Sequence, residues 1–73
     1  MRADLSAAAL LLAQAEAILR AGMQEMLDAA DDCEARDVSD GMLRFDAQTL
    51  TTYTRQLRTM SDVVDSMAKE LAA

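Results

Sequence analysis

The residues that could do chemistry are few, and most of them crowd one short stretch. Asp28, Asp31, Asp32, Glu34, Asp37 and Asp40 fall within thirteen positions. A calcium loop would need oxygen ligands at alternating positions, a central glycine and a distal glutamate. The spacing here does not meet that template, and Asp31, Asp32 and Glu34 point to different sides of a helix. The cluster therefore reads as a solvated helix end, or as a contact for a basic partner. Paired carboxylates do acid–base work only in a cleft that shifts their pKa values. The chain has no histidine and one cysteine, so the usual zinc ligand sets cannot be assembled. It has no G-x-S-x-G or P-loop pattern either. The expectation is a non-enzyme with no catalytic residue, no cofactor and no metal.

Cys33 has no partner within the chain for a disulfide. A lone thiol suits a reducing compartment. It continues an apolar series and reads as a small buried hydrophobe, with a reactive or intermolecular thiol as the alternative.

Length and composition narrow the class. At 73 residues this is one domain, and a domain so small is marginal when alone. There is no proline and there are only two glycines, while alanine, leucine and methionine are abundant. That is a helix-former's composition. The net charge of −6 and an aromatic content of 3% argue against a nucleic-acid partner. Leu5 to Ala17 has the outline of a signal peptide, with Arg2 as its basic end and Ala13-Gln14-Ala15 as a cleavage site. Asp4 sits badly in that scheme, and the apolar run continues into a longer helical pattern. Its core, Ala7–Ala13, is far short of the ~20 residues that span a bilayer, so no membrane partner is expected.

Two helices must carry these residues. Leu43, Leu50, Leu57, Val64 and Leu71 recur every seven residues, and Tyr53, Met60 and Met67 fall three after successive members. Read as heptad a and d positions, they form a seam that packs along another helix. Upstream, Leu5, Leu12, Leu19, Met26 and Cys33 make a second a series. Ala8, Ala15, Gly22 and Ala29 stand at its d positions, small enough to let another backbone come close. Leu11 and Ile18 widen this stripe on one side, and Met23 and Leu27 on the other. Gly22 costs about 1 kcal/mol against alanine in a helix, and its d position points to close packing rather than to a break.

The predicted architecture is all-α: a two-helix antiparallel hairpin, coiled-coil-like. The first helix runs from about 3 to 36. The turn covers about 37–41 or 37–46, depending on whether Ser39 or Asp40 caps the second helix or Asp46 does. The later start, about 46–72, is slightly favoured because Asp46 holds a d position. One helix can shield a seam on its neighbour, but not half of that neighbour's girth. Leu11, Ile18, Met23 and Leu27, with Met42, Phe45 and Val63, should therefore stay partly exposed. Of these, Leu11, Ile18, Met23, Leu27, Phe45 and Val63 are the candidate partner-binding residues. Phe45 lies off the Leu43–Leu71 line, and either folds over the hairpin tip or anchors a partner.

The stretch Gly41-Met42-Leu43 through Gln48, Leu50 and Tyr53 is similar to the start of the second helix in small helical proteins of bacterial type III secretion. Two groups there have this size, the needle co-chaperones and the needle subunits. The resemblance covers about a third of the chain. Needle subunits carry a proline-containing turn that this chain lacks, so the co-chaperone group fits better. That resemblance implies no catalysis, a helical protein partner and cytoplasmic residence. The alternative is self-association into a four-helix dimer or larger bundle.

Overall fold

The computed structural model describes residues 4–73. It is an all-α hairpin of two long helices, α1 (Leu5–Ala35) and α2 (Leu43–Ala72), packed side by side along their length. The rod measures 57 × 16 × 16 Å.

Asp4 starts α1 by accepting a 3.0 Å hydrogen bond from the Ala7 N–H, which satisfies one of the helix's free donors. The expected start near Ala3 lies outside the described residues. α1 ends in a Schellman arrangement. Asp37 takes the left-handed conformation (φ 57°), and the Val38 N–H donates back to the Cys33 carbonyl at 2.9 Å. Aspartate tolerates that conformation better than most residues that have a Cβ. Gly41 (φ 58°) makes the second left-handed step of the turn.

α2 begins at Leu43, between the two starts predicted. Neither Asp40 nor Asp46 caps it with its side chain, and Met42 holds the N-cap position without a side-chain bond. The Ser39 hydroxyl instead accepts from the Gly41 N–H at 3.1 Å, inside the turn. Two left-handed residues reverse the chain within a few positions, so the helix starts before Asp46. Asp46 then sits in the first turn, where its charge suits the helix dipole.

The seam differs from the predicted register. The leucine series of both helices does face the partner helix, but its companions are the residues four positions on, not three. In α1 these are Ala9, Glu16, Met23 and Ala30; in α2 they are Ala47, Thr54, Ser61 and Ala68. All are buried or half-buried. In heptad terms the leucines are d, the small residues are a, and the expected d series becomes g. The physical reason lies in side-chain size and hydrogen bonding. Alanine, serine and threonine at a let the helices approach closely. The Ser61 hydroxyl crosses to the Ala9 carbonyl at 3.0 Å, and Thr54 bonds back to the Thr51 carbonyl at 2.9 Å.

Candidate interaction face

The contacts between α1 and α2 fix their register. Ser61 meets Ala9, the Thr51 hydroxyl reaches the Met23 sulfur at 2.9 Å, and Arg44 reaches Asp31 at 2.9 Å. Carried along both helices, this antiparallel pairing sets Gly22 level with Tyr53, Ala15 with Met60 and Ala8 with Met67. Because the helices run in opposite directions, their e flanks meet on one side of the seam and their g flanks on the other. The rod therefore has two unlike faces.

The e face is mostly polar, with exposed Leu10 and half-buried Leu27 as its apolar exceptions. Glu16, inside the seam, pairs with Arg20. The Arg20 guanidinium, donating to the Glu16 carboxylate, holds that acid below its ordinary value of 4.5. Burial opposes this, and the charges of Arg20 and of Arg58 from α2 assist it. Nearer the tip, Arg44 gathers three carboxylates: Asp31 at 2.9 Å, Glu34 at 3.0 Å and Asp40 at 3.2 Å. Those bonds hold the start of α2 to the end of α1 and hold the Arg44 charge firmly in place. The acidic cluster is thus partly neutralised from within, and among the described residues no carboxylate, cysteine or histidine set could hold a metal ion.

The g face is apolar. Tyr53, Met60 and Met67 stand there, each about half exposed, with Ala8, Ala15, Gly22 and Ala29 across the seam. Outside them lie Leu11 and Ile18 on α1, 64% and 71% exposed, and Met42 and Val63 on α2. A Cβ built on Gly22 meets nothing within 4 Å. The close packing expected there is not made by α2, because Gly22 lies beside the seam and not in it. Charges on this side sit toward the two ends, Glu25, Asp32 and Asp46 near the turn and Asp4 and Glu70 near the open end; between Ala8 and Gly22 on α1 and between Tyr53 and Met67 on α2 the face carries none.

The six predicted partner-binding residues separate into four groups. Leu11, Ile18 and Val63 share the g side. Met23 belongs to the hairpin's own seam, where it receives the Thr51 hydroxyl. Leu27 is half-buried on the polar side. Phe45 is 61% exposed but lies on the back of α2 among Gln48, Thr49 and Thr52, so it neither covers the tip nor joins the face. The sequence reading missed Tyr53, Met60 and Met67 as surface residues by assigning them to the seam. The signal that could have found them was present: apart from Glu16 and Asp46, positions three and four beyond each leucine are apolar or small in both helices, which is one series more than a two-helix seam can cover.

No large side chain is fully buried anywhere in the described chain; the core consists of Ala9, Ala30, Ala47 and Ala68. A folded monomer of 7.9 kDa exposes about 4,400 Å² by the usual scaling. This chain exposes 5562 Å², an excess of about 1,100 Å² over that scaling. α1 also contains an 18-residue window of mean hydropathy 1.3, long and apolar enough by length and composition to cross a membrane. Within the hairpin, however, that helix is paired to α2, which carries Arg55, Arg58, Asp62 and Asp65 on its surface. Comparison with known protein families, with curated proteins and with solved structures gives no match.

Proposed function

We propose that the chain is a non-catalytic helical interaction module whose g face docks against other helices. One observation carries this reading: Leu11, Ile18, Tyr53, Met60 and Met67 lie together on one side of the rod, each half exposed or more. Contiguous apolar surface of that kind marks an interaction site. The ion pairs lie on the opposite side or at the tip, and the carboxylates on this side stand at its two ends, which leaves the middle of the face free for apolar contact. A co-chaperone role in bacterial type III secretion is the special case implied by the likeness of the Gly41–Tyr53 stretch to that group. In that case the face would seat a larger helical protein in the cytoplasm.

Light scattering on the purified chain, alone and co-expressed with the product of a neighbouring gene, tests the proposal. The expected result is an assembly in at least one of the two samples. A single chain that stays cooperatively folded at high dilution, and that joins nothing in either sample, would overturn it.

A further inference from the structure

Resting on that reading of the g face, we infer that its occupant is a second copy of this chain. The two hairpins lie face to face with their turns at opposite ends, forming a four-helix bundle.

Three observations support the second copy. The first is the pattern itself. Apolar residues at a, d and g fill three of every seven positions, the pattern of a helix inside a bundle; a two-strand seam needs only two of seven. The second is area. The excess surface of about 1,100 Å² per chain matches what a specific interface removes from each partner, typically about 800 Å² or somewhat more. The third is that both helices offer a continuous seam. On α2 it runs Leu50, Tyr53, Leu57, Met60, Val64, Met67 and Leu71. On α1 it runs Ala8, Leu12, Ala15, Leu19 and Gly22. Each is half covered by its own hairpin, and each can be completed by its own kind.

Charge selects the orientation. With both turns at the same end, α1 would lie over the other copy's α2, and Glu25 and Asp46 from both copies would gather in one place on the interface. The acidic tips, each with six carboxylates between Asp28 and Asp40, would also stand side by side. With the turns opposed, α1 meets α1 near Ala15 and α2 meets α2 near Met60. The uncharged middle of each face, Ala8 to Gly22 on α1 and Tyr53 to Met67 on α2, then overlaps its counterpart, and the tips project from the two ends. The open space around Gly22 falls where the second α1 backbone approaches.

The test uses a nitroxide at Val38→Cys, a half-exposed turn position, in a Cys33→Ser background. Pulsed electron resonance then reads the distance between labels, with the mass checked by light scattering. Turns at opposite ends place the labels about 60 Å apart, from 1.5 Å of rise per residue. A two-chain species with that distance supports the inference. A two-chain species with labels within about 25 Å refutes the orientation and leaves the self-pairing intact, since both labels would then sit at one end of the rod. A chain that assembles only with a different helical protein refutes the second copy while leaving the interaction face standing. A folded monomer that pairs with nothing removes the reading of the face itself.

Discussion

Ile18→Asp is the substitution that separates the hairpin from its assembly. In the single chain Ile18 is 71% exposed, so the hairpin loses little packing when it is replaced. Exposed substitutions of this kind change stability by about 0.5 kcal/mol or less. In the assembly the same site is covered. Fully burying an isoleucine is worth about 1.5–3 kcal/mol, and roughly two thirds of that is still to be gained at Ile18. A symmetric dimer contains the site twice, so about 2–4 kcal/mol of association is lost with the two side chains. Two carboxylates brought into an apolar interface add a desolvation cost of several kcal/mol unless they protonate. Even 3 kcal/mol weakens the dissociation constant by about a hundredfold. Sedimentation equilibrium reads the mass, and circular dichroism at low concentration reads the helix content that should survive. Phe45→Asp is the matched control, because Phe45 is as exposed but lies on the back of α2. If Ile18→Asp and Phe45→Asp alter the assembly equally, or neither alters it, the assignment of the g face is refuted.

Four further outcomes follow from the geometry. Glu16 has a lowered pKa in the folded chain, so its contribution to stability is complete above its ordinary value of 4.5 and is lost as pH falls through the lower folded value. The stability gap between wild type and Glu16→Gln should therefore stay constant above the ordinary value and shrink only on the acid side, and curves that stay parallel throughout would contradict the pairing with Arg20. Arg44→Ala releases Asp31, Glu34 and Asp40 together and should lower the midpoint of a urea melt modestly, since exposed pairs are individually weak; the loss should shrink at 1 M salt. Asp4→Ala removes the α1 cap and should cost about 1 kcal/mol, with fraying confined to the first turns by hydrogen exchange. Gly22→Ala gains about 1 kcal/mol of helix propensity and meets open space within the chain. It should stabilise the monomeric Ile18→Asp background by more than it stabilises wild type, where the second backbone approaches; equal gains would mean that nothing approaches there.

The helical hairpin was legible in the sequence because proline is absent, the leucine series are unbroken and the only polar interruption lies at 37–41. The register was not legible. In α2 the +3 series, Tyr53, Met60 and Met67, is greasier than the +4 series, Ala47, Thr54, Ser61 and Ala68. Hydrophobicity therefore pointed to the wrong companions. What decides the seam is how closely two backbones approach, which favours small residues and lets the Ser61 hydroxyl bond to a carbonyl of the other helix. A pattern count ranks transfer energies and does not see that spacing. The same blindness put Met23 on the partner-binding surface, although it fills the seam, and placed Gly22 against α2, although it faces outward. Glu16 gave no sequence signal as a buried group; its pairing with Arg20 one turn on was the only available hint. The surplus of apolar girth on α1 was legible, and the exposures of Leu11 and Ile18 agree with it.

Hydroxyl-radical footprinting of the wild-type chain at assembling concentration asks most directly whether the g face is covered. The account predicts that Tyr53, Met60 and Met67 are protected while Phe45 reacts freely, and that dilution or Ile18→Asp restores their reactivity. Labelling of Tyr53 and Met60 that stays as fast as in the Ile18→Asp chain at every concentration would contradict it.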